Sequence, residues 1–117
     1  MMNFNFVPRI AEVDCHEWDL AEGEKIYVKE PNAGEFALFE HLTGMLHFVG
    51  TNDAERRKIY AKIAVLLCCD QNGKLKFSEE QIPLIAQGNS KPLRRIALKV
   101  SDLSMLDEQE EKELEKN

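Results

Sequence analysis

The chain has 117 residues, 44% of them hydrophobic and 31% charged, with a net charge of −6. That length supports one domain with its own core and is too short for two, and the composition is that of a folded rather than a disordered chain. The acidic balance, with no basic stripe, argues against nucleic acid as a partner. The longest apolar run, Ile63 to Cys69, falls far below the roughly 20 residues that span a bilayer, so no membrane segment is expected.

Residues 1–9 read as an arm, broken by Pro8 and carrying Phe4 and Phe6. This start has no basic n-region and no small-residue cleavage site, so a secretory leader is not expected. From Ile10 to Trp18 the residues partly alternate, with Val13 and Cys15 on one side and Asp14 and His16 on the other. Lys25 to Glu30 alternates again, with Ile26 and Val28 opposed to Tyr27. A period of two on both sides of a Gly23 turn predicts a β-hairpin, ended by Pro31-Asn32.

The period then lengthens. Phe39, Leu42, Met45, Leu46 and Val49 recur every three or four residues, which predicts an amphipathic helix over 34–49 closed by Gly50. Leu38 and Phe48 lie off that stripe. Asn52 or Asp53 can cap a second helix. Its residues Ile59, Ile63, Leu66 and Leu67 form one face, and Ala61, Ala64, Val65 and Cys68 fill much of the other. A helix apolar on most sides is central to its fold, and 59–69 is expected to be that helix. Asn72-Gly73 is expected to end it.

Lys74 to Phe77 reads as a short extended piece. Ser78-Glu79-Glu80-Gln81 is a capping box that starts a short helix, limited by Pro83 and stopped at Gly88-Asn89. Ser90 is expected to cap a last helix, with Leu93, Ile96, Ala97, Val100 and Leu103 as its buried stripe. From Asp107 to the end there are six acids and two lysines, a net −4 that leaves −2 for residues 1–106. The organisation is therefore an arm (1–9), one globular domain (10–106) and an acidic tail (107–117). The fold class is α+β: an N-terminal β-hairpin packed on a mainly helical domain of about four helices, with 59–69 at its centre.

No constellation of residues points to catalysis, a cofactor or a metal. Asp70-Gln71-Asn72-Gly73 has the look of a calcium loop, but Gly73 at position six puts Cys68 at position one. Asp70 at position one puts Gln81 where a bidentate Glu is needed. His16, His41 and His47 with Cys15, Cys68 and Cys69 contain neither C-x-x-C nor H-x-x-x-H spacing. Three cysteines, two of them adjacent, make a poor disulfide framework and fit a reducing compartment. An apolar setting raises a thiol's pKa and disfavours a Cys nucleophile. Arg56-Arg57-Lys58 and Arg94-Arg95 read as solvated helix faces. Trp18 and Tyr60 read as core or groove residues.

In order along the chain stand Glu17-Trp18 at the end of a strand, Ile26-Tyr27-Val28-Lys29-Glu30-Pro31 with Glu35 soon after, and a long helix ending Leu66-Leu67-Cys68-Cys69-Asp70. Gln71-Asn72-Gly73-Lys74, Phe77-Ser78-Glu79-Glu80 and Asn89-Ser90-Lys91-Pro92-Leu93 follow. This ordered set resembles the tail assembly chaperones of long-tailed, siphovirus-type bacteriophages over residues 10–106. In that family a strand ending in Glu-Trp, a V-R-E-P/L strand and a D-x-x-G-x-x-x-F junction recur in this order. Lys29 stands where Arg is usual, and the tail from Asp107 has no counterpart.

The resemblance implies a non-enzymatic protein without cofactors, in the cytoplasm of the bacterial host and absent from the mature virion. Its implied partner is the tape measure protein, kept soluble while tail tube subunits assemble around it, with the tail tube protein as a second candidate. Self-association into a homo-oligomer and a longer product of programmed frameshifting are also implied, and Glu115-Lys116-Asn117 is compatible with a slippery heptamer. Binding apolar helices needs exposed apolar side chains, and Phe4, Phe6, Leu38 and Phe48 are the candidates. The alternative reading is a small phage or bacterial regulatory or adaptor module.

Overall fold

The computed structural model describes residues 5–50 and 52–105. Strands β1 (Ile10–Val13) and β2 (Ile26–Lys29) pair antiparallel, with Ile10 opposite Lys29 and Val13 opposite Ile26. The alternation expected from the sequence sets the faces. Val13, Cys15, Ile26 and Val28 are buried, whereas Asp14 and His16 face solvent. The first strand is shorter than the 10–18 span expected. It stops at Val13, and the chain turns so that the Trp18 N–H reaches the Cys15 carbonyl.

Helices α1 (Ala33–Val49) and α2 (Asp53–Leu67) follow. Asn32 caps α1 through a reciprocal box: its Oδ1 accepts from the Glu35 N–H at 2.8 Å, and its own N–H donates to Glu35 Oε1 at 3.0 Å. The other Glu35 oxygen accepts from Lys29 Nζ at 2.8 Å, which joins the end of β2 to the start of α1. Asn52, rather than Asp53, caps α2. The Arg56 guanidinium reaches back to the Leu46 and Gly50 carbonyls and satisfies acceptors left open at the end of α1.

Helix α2 is central, as its composition requires. Ile59, Ala61, Ile63, Ala64 and Leu67 are all buried, and α1, α3 and α4 pack around it. Its end corrects the sequence reading. The helix stops at Leu67, and Cys68–Cys69 forms strand β3, paired antiparallel to β2 with Cys69 opposite Tyr27. The sheet therefore has three strands in the order β1-β2-β3. Gly73 does not end the helix. At φ 84° it serves a hairpin turn in which the Asp70 N–H donates to the Lys74 carbonyl, and Lys76 N–H returns to the Cys68 carbonyl. Asp70 Oδ1 accepts from the Asn72 and Lys74 N–H groups, and these bonds hold its carboxyl below the usual range.

The capping box at Ser78 and Gln81 opens a single 3₁₀ turn, Glu79–Gln81, before α3 (Ile82–Ala86) restarts with Pro83 in its first turn. Pro83, which sits late for a helix starting at Ser78, is placed normally once the segment divides here. Helix α4 (Ser90–Ser104) buries Pro92, Leu93, Ile96 and Val100 against α2 and the sheet. Its N-cap residue is Asn89 and not Ser90, and the Asn89 side chain donates instead to the Glu17 carbonyl. Arg95 fixes α4 to the loop after β1. Its guanidinium meets both Glu17 oxygens, at 2.6 and 2.8 Å, and the Asp14 carbonyl at 3.0 Å. The acidic tail from Asp107 lies outside the described residues.

Ile63 is fully buried against several elements at once. Ile63→Ala is expected to lower unfolding free energy by about 2–5 kcal/mol, read from urea denaturation. The Arg95 guanidinium beside Glu17 holds that carboxyl below its usual value. A depressed folded-state pKa contributes stability above the unfolded pKa, about 4.3 for Glu, and loses it as pH falls through the folded value. Urea midpoints should therefore hold steady from neutral to mildly acidic pH and fall below about pH 4.5. An Arg95→Gln variant should be weaker at pH 7 and converge on the parent at low pH.

Candidate functional site

Among the described residues helix α1 packs mainly on α2, which leaves one of its sides without a closely packed helix. There residues 35–45 of α1, the C-terminal half of α2, the extended piece after the hairpin turn and the 3₁₀ turn enclose an open groove of about 800 Å³. Its apolar walls come from Leu38, Leu42 and Met45 on α1, Val65 and Leu66 on α2, and Leu75, Phe77 and Ile82 opposite. Leu42 and Val65 form the buried floor, while Leu38 (45% exposed) and Leu75 (47%) stand at the rim. Glu35, His41, Lys62, Ser78 and Glu79 supply the polar edge.

Local sequence explains each wall. The three-residue turn ending at Gly73 reverses the chain, so Lys74–Phe77 runs back along β3. Alternation there sends Leu75 and Phe77 toward the groove. Phe77 is held by the Trp18 ring, edge to face with centroids 5.8 Å apart. Glu35 is held by its cap and by Lys29.

The structure does not gather the four residues expected to bind a partner. Leu38 lines the groove. Phe48 is 90% exposed near the far end of α1, outside the groove, and Phe6 is half exposed in the arm, also outside it. Phe4 lies outside the described residues. Met45, Leu75, Phe77 and Ile82 are groove residues that sequence reasoning missed. The alternation in Lys74–Phe77 was the signal for Leu75 and Phe77, but nothing in the chain places that piece beside α1.

The polar groups give the groove no evident chemistry. Among the described residues no side-chain hydrogen bond joins His41 to an acid or a hydroxyl, and no group of three or more His, Cys, Asp or Glu residues converges to hold a metal. The thiols are inert in this setting. Burial pushes Cys15 up to about 12, and burial pushes Cys68 and Cys69 upward as well. No helix among the described residues is long and apolar enough to cross a membrane. What the groove can do is accept apolar side chains from a partner.

Among solved structures, the tail assembly chaperone of bacteriophage HK97 is similar to this chain, with a TM-score of 0.60 and 17% identity over 92% of this chain and 91% of that one. The two chains share a fold. The resemblance read from the sequence holds at that level: hairpin first, then four helices, in one α+β arrangement. No protein-family model and no curated protein matches the sequence.

All three native thiols are buried. A thiol reagent at pH 8 should modify none of them in the folded protein within minutes and all of them in denaturant. Fast labelling of the folded chain would contradict the burial described.

Proposed function

We propose that this chain is a phage tail assembly chaperone, a non-catalytic protein that binds the tape measure protein and keeps it soluble while tail tube subunits assemble around it. The observation that carries this reading is an open apolar groove in a chain that shares, almost end to end, the fold of a tail assembly chaperone. The client chemistry follows from the lining. Leucine, methionine and phenylalanine side chains around an open trough suit an amphipathic helix that would otherwise aggregate. Leu38 and Leu75 contact the client at the rim, Phe48 and Phe6 add apolar contacts outside the groove, and Phe4 adds a further apolar contact.

The same reading places the protein in the cytoplasm of the bacterial host during assembly and outside the finished virion. It includes self-association, the tail tube protein as a second partner, and a longer frameshift product. The net charge of −6 keeps a chaperone–client complex dispersed by self-repulsion.

Co-expression with the tape measure protein of the same phage is the test. The client should move from the insoluble to the soluble fraction and co-purify with this chain. Replacing the two rim leucines, Leu38→Glu with Leu75→Glu, should weaken capture by about tenfold or more, since each buried leucine is worth about 1.5–3 kcal/mol. Both side chains are about half exposed at the rim and outside the buried core, so the fold should survive. A client that stays insoluble, with the chain instead retained on an unrelated regulatory partner, would favour an adaptor role.

A further inference from the structure

A second cavity, of about 300 Å³, lies between the N-terminal halves of α2 and α4 and is lined by Asp53, Arg56, Arg57, Tyr60, Ser90, Leu93 and Arg94. Its charge is set by three guanidinium groups against one carboxylate. Asp53 approaches Arg57 only loosely, at 3.8 Å, and is itself 86% exposed. Arg56 is committed to the Leu46 and Gly50 carbonyls. Arg57 and Arg94 present their charge outward, and among the described residues Arg94 forms no ion pair.

An apolar trough between α1 and α4 adjoins the cavity. Tyr60 and Arg94 belong to both, and the trough runs on along α4 past Ala97 and Leu98 to Ser101. Leu98, on its edge, is 66% exposed. The track therefore leads from the arginines to within one helical turn of Ser104, where α4 ends.

From that end the chain continues into residues 106–117, outside the described structure, which read Leu-Asp-Glu-Gln-Glu-Glu-Lys-Glu-Leu-Glu-Lys-Asn. We propose that this acidic segment folds back along α4 of its own chain and seats Glu110 and Glu111 on Arg57 and Arg94. The signs are complementary: six acids in the segment meet a cavity with an excess of arginine. The lengths agree too. Arg94 lies about 16 Å back from Met105 along the helix axis at 1.5 Å per residue. Five residues of extended chain from Met105 to Glu110 cover about the same span at 3.3 Å each. Tethering makes the same-chain contact favourable over one between copies, because a short linker gives a local concentration on the order of millimolar. The site is thus one for an acidic peptide, distinct from the groove proposed for the client.

Because the native cysteines are buried, Asn117→Cys in the full chain can carry a single spin label. At 10 mM salt, where the Debye length is about 30 Å, amide signals of Arg57, Tyr60 and Arg94 should weaken at least about twofold. At 1 M salt, with a Debye length of about 3 Å, they should recover. Recovery is also expected in the Arg57→Glu, Arg94→Glu variant, and broadening should return when Glu110→Arg and Glu111→Arg are added to it. Labelled chain mixed with unlabelled, isotope-enriched chain should give no broadening. Broadening only in that mixture would overturn the proposal in favour of a contact between copies. Absence of broadening in both samples would overturn it outright. Tape measure binding enters none of these readouts.

Discussion

The fold depends on the C-terminal half of α2, from Ile59 to Leu67, being buried on nearly every side. Ile59, Ile63 and Leu67 fill one stripe, and Ala61 and Ala64 let neighbouring elements come close elsewhere. Such a helix cannot sit at a surface, so α1, α3, α4 and the sheet are all arranged around it. Its continuation into Cys68–Cys69 makes the arrangement one body, because the residues that end the central helix are also the third strand. The groove is a consequence. Helix α1 has α2 on one side and only the short 74–77 piece and the 3₁₀ turn across the opening on another, and that layer is too thin to cover Leu38.

Most of this order was legible in the sequence because it rests on local periods. Alternation at Val13, Cys15, Ile26 and Val28, and the three-to-four spacing from Phe39 to Val49, decide faces without knowledge of partners. Cys68–Cys69 was not legible for a physical reason. Two buried residues after an apolar helix fit a helix's period as well as a strand's, and only the presence of β2 alongside decides between them. The same pairing reassigns Gly73. Its left-handed conformation could be expected from Asn-Gly, but whether it closed a helix or turned a hairpin depended on where the helix had already stopped. At α4, Ser90 and Asn89 are both good caps by type, and the Asn89 amide is drawn to the Glu17 carbonyl by a loop more than seventy residues earlier.

Of the groove, sequence reasoning found Leu38 and missed its opposite wall. Leu38 stands out because it breaks its helix's stripe, a property of one element alone. Leu75 and Phe77 belong to the groove through a hairpin turn and the Trp18 contact, both tertiary facts. The basic pairs show the same division. Neighbours on a helix point about 100° apart, so each cluster splits. Arg56 turns in to close α1 and Arg95 turns in to hold Glu17, while Arg57 and Arg94 stay outside. Reading both clusters as solvated faces holds for Arg57, Lys58 and Arg94 and not for Arg56 and Arg95.

That division also keeps the two surfaces apart. Lys62, Val65 and Leu66 of α2 line the groove, and Asp53, Arg56, Arg57 and Tyr60 line the arginine cavity. At about 100° per residue these sets fall on opposite sides of the helix, and they occupy different halves of its length. A ligand in one does not reach the other directly. Coupling between them runs through α2, or through α1, whose Phe39, Thr43 and Leu46 line the trough and whose Leu38, Leu42 and Met45 line the groove. On the two proposals above, an apolar client and an acidic segment sit on opposite sides of α2 and do not compete for one surface.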